Sequence, residues 1–270
     1  MRTSLLLIVS LLLLVSCSEY QRILKSDDAG LKYQHAESYY TNGKYKKALK
    51  LMEQIVPVYR GKPQAEKLMF MYANTFYQLE DYYLAGYQFE RFVLSYGKSD
   101  SVEVAAYRSA ESYYELSPRY SLDQEDTYKG LEKLQEFINA YPDSEYRDLA
   151  NIKVMELSEK LQKKDIEVAK QYLKIGETSG TYKSAIEAFD NFILDHPGSK
   201  YRPDAYYGKF EAAYRLAINS FPSLVVERLQ TSMKYYNDFK KYYPTNELHE
   251  EAKKILEDID RRLTEKETSS

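Results

Sequence analysis

The sequence predicts an all-α protein, a right-handed superhelical solenoid of about five helix pairs closed by a C-terminal capping helix. Three observations predict it. Ala36-Glu37-Ser38-Tyr39-Tyr40 recurs as Ala73-Asn74-Thr75-Phe76-Tyr77 and again as Ala110-Glu111-Ser112-Tyr113-Tyr114, each time 37 residues on. A fixed period of this size marks stacked helix pairs that bury one another's apolar faces. A second element, an aromatic ending with proline and a small polar residue, runs through Phe137–Ser144, Phe192–Ser199 and Phe239–Asn246, with weaker copies at Phe92–Ser99 and Ile55–Lys62. The five copies are spaced by 37, 45, 55 and 47 residues. Composition agrees: 44% of residues are hydrophobic, and 10 glycines and 8 prolines in 270 residues leave few helix breakers.

Each element follows in turn. Residues 1–16 read as a signal peptide, with Arg2 ahead of the apolar run Leu5–Val15. That run is too short to span a bilayer, which takes about 20 residues, but it suits the centre of a secretory signal. Leu14-Val15-Ser16-Cys17 resembles the lipobox of bacterial lipoproteins, which implies lipid attachment at Cys17, cleavage before it and acylation of the new amino terminus. A cleaved signal with an incidental cysteine, or a short anchor, is the plainer alternative. Several acyl chains at ~0.8 kcal/mol per buried methylene make a durable anchor. Ser18 follows the cysteine in place of an aspartate, which favours the outer membrane. Residues 17–29 are expected to be the lipidated cysteine and a polar linker, whose stretch Ser18–Ala29 reaches at most about 40 Å.

The solenoid is expected over 30–270, with N-terminal repeats over about 30–125 and C-terminal repeats over about 126–246. Within a unit, alanine at the close-packing position lets the paired helices approach. Gly43 turns the chain before Tyr45-Lys46-Lys47-Ala48, and proline ends the second helix because it cannot continue one. The set of small residue, aromatic, Gly-x-Tyr-x-x-Ala and terminal proline resembles the tetratricopeptide repeat, whose usual period is about 34. Extra residues at Ser117–Asp126 and Gly176–Gly180 imply longer helices or loops. Leu248, Ala252, Ile255, Leu256, Ile259 and Leu263 fall three and four apart, which gives the capping helix, about 247–263, one apolar face.

Composition excludes several functions. Lysine and arginine total 38 against 41 acidic residues, so no concentrated positive footprint points to nucleic acid. Without Arg2 the mature chain would hold 37 against 41, and an acidic chain gains nothing from anionic headgroups, which leaves anchoring to the lipid. One cysteine and three histidines cannot build an ordinary metal centre. Ser95-Tyr96-Gly97-Lys98 matches a Ser-x-x-Lys nucleophile pattern but lies in a repeat end and lacks partner motifs. His249-Glu250 begins a zincin string that fails at Lys253. No glycine-rich phosphate loop occurs. The expectation is a non-enzyme with no cofactor and no metal.

The 29 tyrosines admit two readings. The tetratricopeptide resemblance places three columns on the groove-lining helices: Tyr33, Phe70 and Tyr107; Glu37, Asn74 and Glu111; Tyr40, Tyr77 and Tyr114. Aromatic bodies with polar tips hold an extended peptide at low entropic cost. Equally, these rings pack between helices while their hydroxyls reach water.

A lipobox followed by five irregular repeats, with Tyr-Pro-x-Ser ends and Val168-Ala169-Lys170-Gln171-Tyr172 ahead of Tyr182–Ala185, resembles the BamD-type lipoproteins of the β-barrel assembly machine. That resemblance implies an outer-membrane, lipid-anchored scaffold facing the periplasm. It also implies two partners: a BamA-like barrel insertase, docked through the C-terminal repeats, and unfolded outer membrane β-barrel proteins, received by the N-terminal repeats. The docking candidates are Tyr172 and Lys183, because the family's arginine three residues after the fourth-repeat alanine is Ala188 here. A periplasmic adaptor for envelope division or peptidoglycan remodelling, and a SusD-like glycan-binding lipoprotein, are the alternatives. The second is weakened by the lack of tryptophan for sugar stacking.

Overall fold

The computed structural model describes residues 19–268, and every regular element among them is a helix. Cys17 and the expected signal peptide lie outside the described residues. After a short helical stretch at 19–24 come α1 (Ala29–Thr41), α2 (Tyr45–Tyr59), α3 (Ala65–Gln78), α4 (Tyr82–Ser95), α5 (Val102–Glu115) and α6 (Glu125–Ala140). The long α7 (Arg147–Lys174) and one-turn α8 (Gly176–Ser179) lead to α9 (Tyr182–Asp195), α10 (Arg202–Ile218), α11 (Pro222–Tyr242) and α12 (His249–Thr268). Helices pack chiefly on their chain neighbours, as tetratricopeptide-like pairs do, and α12 packs on both α10 and α11.

Local chemistry sets the ends. Asp28 caps α1 by accepting from the Gly30 and Leu31 amides at 2.8 and 3.0 Å, and Asp81 caps α4 through the Leu84 amide. Such caps satisfy amides that have no partner within the helix. The residue before Tyr45, Tyr82 and Tyr182 by two is left-handed in each case: Gly43 at φ 68°, Glu80 at φ 60° and Gly180 at φ 68°. Pro203 and Pro222 sit in the first turns of α10 and α11, where a missing N–H costs nothing.

The repeat ends explain their own sequence. α6, α9 and α11 stop before Tyr141, His196 and Tyr243, each preceding a proline and each off the helical backbone, with ψ of 67°, 63° and 61°, where the following ring disfavours the α region. The small polar residue then closes the turn. Ser144 Oγ accepts from the Tyr146 amide at 3.1 Å, Ser199 Oγ from Tyr201 at 3.2 Å, and Asn246 Oδ1 from Leu248 at 3.0 Å. Ser99, in a copy without proline, does the same for Ser101 at 3.0 Å.

Two compact units share the chain. Among the described residues, the first takes 19–118 together with Gln124–Leu157; the second takes Arg119–Asp123 and 158–268. In the first, Ala48, Leu51, Met52 and Ile55 follow the 3.6-residue period and pack under Leu68 and Met71, while Phe76, Phe89 and Phe92 meet Ala73, Ala85 and Ala105. Burying each phenylalanine contributes about 1.5–3 kcal/mol. Ala36, Ala73 and Ala110 of the repeated segment are all buried, as close helix approach demands. In the second unit Ile166, Ala169, Phe189 and Phe192 form one core, and Phe210, Leu229, Ala252 and Ile259 another. Gly208 lies so close to the Phe189 ring that a Cβ there would stand 2.3 Å from it.

The expected linker is not free chain. Residues 19–24 are helical, Ile23 is only 1% exposed within the first core, and Tyr20 meets the Tyr39 ring edge-on at 5.7 Å. Tyr20, Ile23 and Leu24 recur at helical spacing, and that apolar face outweighs the polar residues between them.

Candidate functional site

The predicted groove columns fall on α1, α3 and α5 of the first unit, and their side chains form rungs from one repeat to the next. Asn74 Nδ2 donates to the Tyr40 hydroxyl at 2.6 Å. One repeat on, the Tyr77 hydroxyl faces the Glu111 carboxylate and its ring lies 4.8 Å from the Arg108 guanidinium. One further, the Tyr114 hydroxyl donates to Glu156 while Lys153 Nζ stands 4.0 Å from the centre of its ring. Glu37 pairs with Lys67 of the following repeat. The rings themselves pack: Tyr33 stacks on Tyr59 at 5.2 Å, Phe70 meets Phe89 and Phe92 edge-on, and Tyr107 stacks on Tyr146 at 4.7 Å.

Glu111 is the electrostatic centre of this face. It is 8% exposed and gathers the Tyr77 hydroxyl, the Tyr107 hydroxyl at 3.1 Å, Arg108, and Lys153 at 3.4 Å. Burial alone would push its carboxyl up; the Arg108 charge, the Tyr77 bond, the Lys153 charge and the Tyr107 bond outweigh that and hold it below the ordinary glutamate value. Burial, then the Glu111 charge, drives Tyr77 and Tyr107 well above the usual phenol range. Tyr114 rises to about 12, chiefly through its bond to Glu156. These tyrosines stay protonated donors at any physiological pH.

The arrangement divides the nine candidates. Tyr107 and Glu111 are buried in packing and in the charged cluster, and Tyr33 is half-buried in its stack on Tyr59. Glu37, Tyr40 and Phe70 line an open cavity of about 550 Å³ with Thr41, Glu66 and Lys67, within the size range of ligand pockets. Asn74, Tyr77 and Tyr114 are the rungs described above. Sequence reasoning missed Arg108, Lys153, Lys67 and Glu156. Arg108 had a local signal, its place three residues before Glu111 on one helix. The other three come from neighbouring repeats and have none.

The docking candidates lie in the second unit. Tyr172 is 38% exposed on α7, and its carbonyl accepts from Thr181 Oγ1 at 2.8 Å. Val168, Tyr172 and Ile175, four and three residues apart, leave an exposed apolar line. Lys183 is exposed in the first turn of α9, whereas Ala188 is half-buried against the Ile166–Phe189 core. Among the described residues no helix is long and apolar enough to cross a membrane, and no group of three or more His, Cys, Asp or Glu is placed to hold a metal ion.

Residues 26–179 match the family model YfiO, outer membrane lipoprotein. The chain belongs to this family. It is similar to the outer membrane protein assembly factor BamD of Caulobacter vibrioides, 28% identical over 130 residues, which cover 48% of this chain and 41% of that one. It is also similar to the outer membrane protein assembly factor BamD of Helicobacter pylori, 28% identical over 85 residues, 32% of this chain and 39% of that one. The matches thus span less than half the length of either relative. Among solved structures, kinesin light chain TPR-like repeats of Podosopora anserina match 78% of this chain and 95% of theirs at 14% identity, with a TM-score of 0.32, too loose to bear on function.

Proposed function

We propose that this YfiO-family protein is a non-catalytic scaffold of outer membrane protein assembly, held in the outer membrane by lipid on Cys17 and facing the periplasm. Its first unit receives unfolded β-barrel proteins and its second docks a BamA-like barrel insertase. The observation that carries the substrate half is the cavity lined by Glu37, Tyr40 and Phe70. An extended, aromatic-ended segment suits it: Phe70 offers an apolar wall, the Tyr40 hydroxyl and Glu37 offer acceptors for peptide amides, and Lys67 offers a cation for a terminal carboxylate. The docking half rests on family membership, on the exposed Val168–Tyr172–Ile175 line and on the exposed Lys183 in the first turn of α9.

Co-purification from detergent-solubilised envelopes tests both. The full-length acylated chain is expected to retain the barrel insertase, and the pair Tyr172→Ala and Lys183→Glu to lose it while still capturing unfolded barrel proteins. Phe70→Ala is expected to do the reverse. Recovery of division, peptidoglycan or polysaccharide-uptake proteins without the insertase would overturn the assembly reading.

A further inference from the structure

We propose that the turn between α1 and α2 is a membrane-contacting face, on which Lys44, Lys46, Lys47 and Lys50, the third of them over the Tyr20 ring, hold anionic phospholipid headgroups and set this corner of the first unit against the bilayer. The proposal rests on the reading that Cys17 carries lipid.

Local charge is the first argument. From Asn42 to Lys50 the chain holds four lysines and no acidic residue, in a protein whose net charge is −3. Lys44 and Lys46 are exposed and make no ion pair among the described residues. Lys47 Nζ stands 5.1 Å from the centre of the Tyr20 ring and 5.6 Å from that of Tyr39. Lys50 and Glu53, paired at 3.0 Å, both act on the Tyr20 hydroxyl, and Glu19 acts on that of Tyr39. The acidic groups facing the cluster are therefore Glu19 and Glu53, outnumbered by the four lysines.

The second argument is where the chain enters. Cys17 is three peptide steps from Tyr20, which is roughly 11 Å at full extension. An acyl group on Cys17 thus starts within reach of the ring that Lys47 covers. The packed helix at 19–24 prevents the unit from drifting away on a slack tether. Tyr20 and Tyr45 add amphipathic rings of the kind that settle at a headgroup boundary, and lysine stems reach outward from such a surface.

The third argument is the neighbouring repeat. The turn between α3 and α4 has the same backbone, with Glu80 left-handed where Gly43 is, yet 37 residues on from the four lysines stand Asp81, Tyr83, Leu84 and Tyr87. Forming the turn does not require lysine. An anionic surface attracts each nearby lysine enough to change binding about fivefold, and the attraction weakens as salt shortens the Debye length.

The test uses the chain from residue 17 onward with Cys17→Ser, so that no acylation intervenes, and vesicles of phosphatidylcholine with or without phosphatidylglycerol. Cosedimentation is expected with the anionic vesicles only and is expected to fall at high salt. Lys44→Glu with Lys46→Glu should weaken it at least about tenfold, whereas Lys183→Glu should not, with thermal melts showing all variants folded. Absent binding, equal binding to neutral vesicles, or indifference to the charge reversal would overturn the proposal. So would loss of a co-purifying envelope protein in the reversed variant without any vesicle binding, which would make the partner a protein. Palmitate incorporation at the native Cys17 reads the anchor separately, so an unacylated cysteine and an inert lysine face are distinct failures.

Discussion

The two units satisfy their helix-lining tyrosines by the same device but with different groups. In the first, Tyr40, Tyr77 and Tyr114 each reach the following repeat, and the middle rung is the buried carboxylate of Glu111. In the second, Tyr207 faces Glu251 and Tyr214 donates to Asp258 at 2.8 Å, both carboxylates on α12. The last helix therefore stands where the first helix of a further repeat would be. Asp258 also accepts from Arg261 and Arg262 and keeps more contact with water than Glu111 does. A rung between repeats is enclosed by structure on both sides, while a rung at the cap is open on one.

Breaking each rung tests that difference. Glu111→Ala leaves Arg108, Lys153 and two phenol hydroxyls without their acceptor, and it is expected to cost about 2–4 kcal/mol in urea unfolding, since truncating one side of a buried charge cluster is expensive. Asp258→Ala is expected to cost about 1–2 kcal/mol. If the two losses are equal, enclosure between repeats is not what distinguishes them.

Packing gives the next largest effect. Gly208→Ala would drive a Cβ into the Phe189 ring and is expected to lower stability by about 2–3 kcal/mol. Gly43→Ala meets no atom within 4 Å but keeps φ at 68°, so about 1 kcal/mol is expected from backbone strain alone. Thermal melts of the pair separate a close approach from a conformational requirement.

Acid titration sharpens the reading of Glu111. Its folded pKa lies below the ordinary value of 4.5. Its stabilisation is therefore complete above that pH and is lost as pH falls through the folded value. Glu111→Gln is expected to be less stable at neutral pH and to show a shallower decline below pH 4.5, measured by urea midpoints across that range. The smallest expected effect is a gain: Glu80→Gly relieves a left-handed non-glycine residue and should raise stability by up to about 1 kcal/mol, seen as a higher melting temperature.

Much of the fold was legible because helix pairs write themselves into spacing. The 37-residue offsets located α1, α3 and α5, and the Pro-x-Ser endings located the stops of α6 and α9. The site was legible only in part. Tyr40, Tyr77 and Tyr114 were visible as one column, but their partners Asn74, Glu111 and Glu156 depend on how each repeat is rotated against the next. Linear spacing does not record that rotation, and beyond Tyr114 the period itself becomes irregular. The short helix at 19–24 was passed over because a few apolar residues among polar ones resemble a linker until a neighbouring helix offers them a surface.

By itself the sequence determined the helical class, the repeat spacing and the turn before Tyr45, because each depends on residues within a few positions of one another or on a period that recurs along the chain. Only the tertiary structure decided which tyrosines are buried and which line a cavity, that Lys153 and Arg108 neutralise Glu111, and that Lys47 and Lys50 come to Tyr20 in a chain that is acidic on average. Those outcomes depend on which helix faces meet. Charge and burial act through distance in space, which composition averages away and linear spacing records only within a single helix.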